Sequence, residues 1–208
     1  MSFGLRPIRN MDGTAWNGNT VRCAILSTDA TDYFVGDPVV ITSAGSATIG
    51  LTTGTGSAGT SSLDGATLPI VGIATAASTN RIFGVIVAFE ANRDNLSRQY
   101  GAASTARTVL VALASPGTVF EAREDAVGGA MALTNVGNGV SLVSGSGSTT
   151  TGYSGWLLDS STAAASALQC LIVGLSNKIG NATGSSSTVW EVIIAQPQMF
   201  PTQVGAAV

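Results

Sequence analysis

The chain has no histidine. That excludes Ser-His-Asp and Cys-His nucleophilic sites and removes the commonest zinc ligand. Lysine is nearly absent too, with Lys178 the only one. Charged residues make up 10% of the 208 positions, and the net charge is −3, against a usual charged fraction of about 25%. Phosphate binding needs clustered Lys and Arg, so nucleic acid is not expected as a partner. No run of 18 apolar residues exists, so no membrane span is expected. The opening MSFGLRPIRN has no apolar core of the kind a secretory signal carries. The two cysteines, Cys23 and Cys170, fall in different strand-like runs. They could pair, but a chain of this size needs no staple, so two buried thiols are the expectation.

Apolar residues supply 45% of the chain, enough for a substantial core. With so little charge, the surface must be built from Ser, Thr, Asn, Gly and Ala. Solubility is then not secured by charge, which suits a protein largely covered by partners and an oligomer rather than a monomer.

The central stretch is Arg81 to Arg123. Apolar runs at Ile82–Phe89 and Val109–Ala114 flank a polar excursion from Glu90 to Arg107, and Pro116-Gly117 then turns into Val119-Phe120-Glu121. β-Branched and aromatic runs bounded by Pro, Gly, Asn and Asp read as strands, and the Pro-Gly turn reads as a hairpin. The excursion carries Arg93, Arg98 and Arg107, three of the nine basic residues, together with Tyr100. A long charged loop on a sparsely charged β scaffold is a place for specific contacts.

Further strands are expected at Val21–Leu26, Pro38–Thr42, Leu68–Ala74, Val140–Val143, Trp156–Leu158, Leu168–Leu175 and Val189–Ala195. Ser43 to Ala66 and Ser144 to Ser154 are rich in Gly, Ser and Thr and read as loops. No stretch has a helical period with start and stop signals, although Ala163–Leu168 could form one short turn of helix. Many strands at short spacing give an all-β fold, an antiparallel sandwich or barrel of jelly-roll-like type. Residues 1–20 are expected as an extended N-terminal arm, 21–196 as a single β domain and 197–208 as a C-terminal tail. On the arm Phe3, Leu5 and Ile8 alternate with Arg6, Pro7 and Arg9. That pattern fits docking on a neighbouring subunit or, alternatively, a short edge strand.

Candidate chemistry is sparse. Ser176 and Lys178 could in principle form a dyad, but a solvated lysine beside a glycine turn is the ordinary reading. Gly54 to Gly59 matches G-x-G-x-x-G without a helix to follow. Glu121, Glu124 and Asp125 could work as paired carboxylates, but three acidic residues beside Arg123 more often make a solvated loop or an intersubunit ion pair. Asn95 and Asn181 begin formal glycosylation sequons. No metal site, cofactor site or catalytic set is expected. A glycan-binding surface would need exposed aromatics, for which Trp16, Tyr33 and Tyr153 are candidates.

Several stretches resemble a known family. They are Gly4-Leu5-Arg6-Pro7, Phe34-Val35-Gly36-Asp37-Pro38-Val39, Gly84-Val85-Ile86-Val87 and Ser104-Thr105-Ala106-Arg107. Thr151-Gly152-Tyr153-Ser154-Gly155 and Trp190-Glu191-Val192 join them. Together they resemble small structural proteins of tailed-phage virions, the capsid cement or decoration proteins. The resemblance implies a non-enzymatic, all-β, trimeric subunit on the outer surface of the head, bound to the major capsid protein. The residues expected at capsid or subunit interfaces are Phe3, Leu5, Arg6, Ile8, Arg9, Arg93, Arg98, Tyr100 and Arg107. The alternative is a virion surface protein that binds a receptor or glycan.

Overall fold

The computed structural model describes residues 2–48, 67–76, 80–91 and 95–199. Eleven strands run in chain order: β1 (Arg6–Asn10), β2 (Val21–Ile25), β3 (Pro38–Thr48), β4 (Thr67–Ile73), β5 (Gly84–Phe89), β6 (Arg107–Leu113), β7 (Thr118–Arg123), β8 (Gly139–Val143), β9 (Leu157–Ala164), β10 (Cys170–Leu175) and β11 (Val189–Ile194). One 3₁₀ turn, Leu133–Asn135, lies between β7 and β8. The all-β expectation holds, and it takes the form of two sheets.

The first sheet closes into a barrel in the order β2-β4-β3-β5-β6. Its pairings are antiparallel except β2–β4, where Ala24 faces Ile70 in parallel. Five strands cannot alternate direction all the way round a closed ring, so one parallel seam is unavoidable. The second sheet has six strands in the order β1-β7-β11-β10-β8-β9. It curls until its last strand meets β7 again: Glu124 bridges Leu158, and the Asp125 amide donates to the Leu158 carbonyl at 3.0 Å.

Strand alternation sends side chains of the barrel into two cores. Ile86, Val109 and Val111 fill the barrel interior with Cys23, Val39 and Phe83. Their neighbours Val85 and Ala112 face outward, into the core of the second sheet with Phe120, Leu158, Trp190 and Val192. The barrel wall is therefore shared, and the two sheets form one continuous packing unit.

Ten strands lie where the apolar runs between turn residues place them, and four details differ. First, Pro116-Gly117 is not a hairpin. Strand β6 is already paired on both sides, by β2 and β5, so the turn hands the chain to the second sheet instead. Second, Ser43–Thr48 continues β3 against β4, through Ser46↔Pro69 and Thr48↔Thr67; residues 49–66, including the Gly54 to Gly59 motif, lie outside the described residues. Third, β9 extends to Ala164 and bends, so the helical turn at Ala163–Leu168 does not form.

The fourth difference is the N-terminus. It is not a free arm: β1 pairs antiparallel with β7, with Arg6 opposite Glu121 and Asn10 opposite Thr118. Leu5 is 1% exposed and belongs to the second core. The outer edge of β1 is occupied by its own chain, since the Trp16 amide donates to the Ile8 carbonyl and Arg9 bridges Ala15. The turn at 11–14 folds back to blunt an otherwise open edge.

Cys23 sits in the barrel core and Cys170 in the other, both reduced and buried. Burial pushes each thiol up to about 12. Because the thiolate is the reactive form, neither should react with Ellman's reagent at pH 8 until the protein unfolds, when two equivalents should appear. Rapid labelling of the native protein would contradict this packing.

Candidate functional site

Three stretches far apart in sequence meet where the barrel joins the second sheet. The Leu5 amide donates to the Gly36 carbonyl at 3.0 Å. The Val35 amide donates to Gly152, and the Ser154 amide to Val35, both at 2.9 Å. Segments 4–7, 34–39 and 151–155 are thus stitched together by backbone bonds. A fourth segment joins them: Tyr33 exchanges two backbone bonds with Gly101, and Tyr100 stacks on Phe34 with ring centroids 5.5 Å apart. Beneath this junction lies Asp37, 2% exposed. Its carboxylate accepts the Phe34 amide at 2.8 Å and a bond from the Ser154 side chain.

Burial pushes the Asp37 carboxyl up to about 6, and its two hydrogen bonds only partly offset this. A folded-state pKa above the unfolded value means that the folded state binds the proton more tightly. The stabilisation is then fully present below about pH 4 and is lost as pH rises through 6. Each pKa unit corresponds to about 1.4 kcal/mol. Asp37→Asn should therefore gain roughly 2–3 kcal/mol relative to wild type between pH 4 and pH 7, read from urea unfolding at both pH values. Parallel pH profiles for the two proteins would refute the assignment.

A groove of about 520 Å³ opens beside the junction, lined by Phe3, Pro7, Trp16, Val87 and Tyr153, with Arg6 and Lys178 on its rim. Both cations converge on one carboxylate. Arg6 Nη2 lies 2.5 Å and Lys178 Nζ 2.7 Å from Glu121 Oε2, and Ser176 Oγ donates to Glu121 Oε1 at 2.6 Å. The Phe3 ring lies under both, 5.4 Å from the Arg6 guanidinium and 4.9 Å from the Lys178 ammonium. Such cation–π contacts hold the charged heads in place. Burial works to raise the Glu121 carboxyl, but the bonds from Lys178, Ser176 and Arg6 outweigh it and hold the group below the ordinary glutamate range.

The residues expected at interfaces separate into groups. Phe3 and Arg6 line the groove. Leu5 is core, and Ile8 is half-buried in β1. Arg9 is engaged within the chain, 2.6 Å from Glu191. Arg98 lies over the Tyr100 ring at 5.6 Å, at the outer end of the stack that begins at Phe34. Arg107 is 3% exposed, and its Nη2 donates to the Glu90 carbonyl at 2.9 Å. Burial and the neighbouring Arg98 lower its pKa against the opposing pull of Glu90. Arg93 lies outside the described residues.

The candidate catalytic pairs are not assembled for chemistry. Ser176 is buried and gives its proton to Glu121, so it does not face Lys178 as a nucleophile. Glu121 points to the groove side of β7, whereas Glu124, just past the strand end, is fully buried and accepts the Met131 amide at 2.6 Å. Asp125 accepts bonds from Val127 and Ser160 and shapes the same turn. Among the described residues no group of three or more His, Cys, Asp or Glu side chains is placed to hold a metal ion. Asn181 spends its side chain on Ser176 and Val189. Of the aromatics considered for glycan binding, Tyr33 is fully buried, its hydroxyl bonded to Asp29 and the Ile73 amide. Trp16 and Tyr153, by contrast, line the same groove. Sequence reading missed Glu121 as the shared counter-ion of Arg6 and Lys178; strand parity in β7 was the available signal.

Comparison of the chain with family models, curated proteins and solved structures gives no match to any of them.

Proposed function

We propose that the chain is a non-enzymatic structural subunit of a tailed-phage virion, a cement or decoration protein that binds the major capsid protein on the outside of the head as a homo-oligomer, a trimer. The observation that carries this reading is how the chain distributes charge. Among the described residues four cations are paired within the chain: Arg6 and Lys178 with Glu121, Arg9 with Glu191, Arg22 with Glu90. Apolar side chains meanwhile stand exposed without charged neighbours in sequence. Val127, Leu133 and Val136 all project from the β7–β8 connection, inside the stretch 126–158, which has no charged residue. Exposed apolar side chains grouped in one connection are consistent with a surface that a partner covers. Several weak contacts per oligomer would add to tight attachment.

The test is occupancy. Purified protein added to heads stripped of it should rebind stoichiometrically and raise the temperature at which the heads open. Failure to bind any head, with the free protein folded, would end the reading. A receptor- or glycan-binding role is the second reading, favoured by Trp16 and Tyr153 sharing a groove. A glycan array decides it: a signal lost in Trp16→Ala and Tyr153→Ala would establish it.

A further inference from the structure

We propose that the groove between β1 and the barrel receives an apolar segment of the capsid partner that also carries a carboxylate, which pairs with Arg6 and Lys178. This deepens the capsid reading above and rests on it. The groove of about 520 Å³ falls within the usual range for a specific binding cleft. Its walls are aromatic and aliphatic, from Phe3, Pro7, Trp16, Val87 and Tyr153. Backbone pairing is not the mode of capture, because the outer edge of β1 is already taken by residues 15 and 16. Recognition must come from side chains.

Charge selects the occupant. Two cations share Glu121, so the rim carries one surplus positive charge in a chain whose net charge is −3. Glu121 lies beneath them, with a side chain 7% exposed, while the Arg6 and Lys178 side chains are 56% and 37% exposed. Arg6 uses Nη2 for Glu121, and Lys178 uses one of its three donors there. Both residues line the groove with donors to spare, and their charged heads pack on the Phe3 ring. An incoming carboxylate can accept from both cations without displacing Glu121. A neutral glycan could stack on Trp16 and Tyr153 and accept from these donors, but it would leave the surplus charge uncompensated.

Lys178 is the only lysine in the chain, so side-chain amine chemistry, mapped to the residue and separated from any α-amine, reports on this rim. The experiment treats wild-type protein bound on heads with a water-soluble carbodiimide, which joins amines to carboxylates in contact, and maps the products by mass spectrometry. Acetylation of Lys178 is measured in parallel on free and bound protein. Expected are a link from Lys178 to an Asp or Glu of the major capsid protein, at least tenfold protection of Lys178 from acetylation on the head, and about tenfold weaker binding of Lys178→Ala. If heads are fully occupied but Lys178 links only to Glu121 and acetylates as in free protein, the groove is empty on the head; the inference falls and the capsid reading stands. If wild type does not bind heads, both fall. If an array glycan protects Lys178 instead, the groove is a sugar site and the inference is overturned.

Discussion

A chain lacking residues 1–12 is expected to lose at least ~5 kcal/mol of stability, a large part of the roughly 5–15 kcal/mol that holds a domain folded. Four losses add up. Leu5 leaves the second core, where a side chain of its size contributes about 1.5–3 kcal/mol. The β1 ladder on β7 disappears. Glu121, buried beside it, loses Arg6, and Glu191 loses Arg9. An ion pair broken from one side leaves a partly uncompensated charge behind. Phe3 no longer sits beneath Lys178. Leu5→Ala is the milder companion and should cost about 2–4 kcal/mol through its cavity. Urea unfolding of the three proteins is the measurement. If the truncated chain unfolds at the wild-type midpoint, the segment is an arm after all and the β1–β7 pairing is not part of the folded core.

The strands were readable as apolar, β-branched runs between turn residues, some of which also alternate. Val189–Ile194 shows it: Trp190, Val192 and Ile194 face the core while Glu191 and Ile193 alternate outward. Strand β1 was not readable with the same force. Five residues with a proline, two arginines and an asparagine fit a solvated tail as well as an edge strand, and only the partner strand β7, more than a hundred residues away, decides between them. Pairing was illegible for the same reason. Nothing local to Pro116-Gly117 says that both edges of β6 are taken, because β2 and β5 approach from elsewhere in the chain. Barrel closure is likewise a property of the whole order of strands rather than of any one.

The candidate site was half legible. Phe3 and Arg6 were singled out from the N-terminal alternation, and Lys178 from its rarity, but their meeting point was not. The groove draws on residues 2, 3, 5–7, 16, 35, 86, 87, 153 and 178, a set with no local periodicity. One element could have been deduced. Glu121 and Glu124 are three apart at the end of a strand, and odd spacing puts them on opposite faces. That parity argues against joint acid–base work and frees Glu121 to serve as counter-ion. Tyr33 is the opposite case. A tyrosine between Asp32 and Phe34 in a polar loop reads as exposed, yet its ring enters the barrel because Asp29 and the Ile73 amide satisfy its hydroxyl there. Burial also raises its pKa.

Gly36→Val is expected to cost roughly 2–5 kcal/mol, and to open the groove as it does so. Gly36 has φ +98°, in the region where a side chain collides with its own backbone, a strain of about 1–2 kcal/mol. Space is closed as well: a Cβ at this position would lie 2.1 Å from the Phe3 carbonyl oxygen. A backbone atom cannot swing aside like the end of a flexible side chain, so the N-terminal segment itself must retreat. Overpacking of this kind adds roughly 1–3 kcal/mol. The retreat would break the Leu5–Gly36 bond and draw Phe3 from beneath Arg6 and Lys178. Stability and site should therefore fail together. Urea unfolding reads the first, and the acetylation rate of Lys178 in the folded variant reads the second, expected to rise several-fold. The control is Gly117→Val, where a Cβ meets nothing within 4 Å and φ is not positive; it should change both by little. A Gly36→Val protein with wild-type stability and an unchanged Lys178 rate would show that the junction of segments 4–7 and 34–39 does not hold the groove in shape.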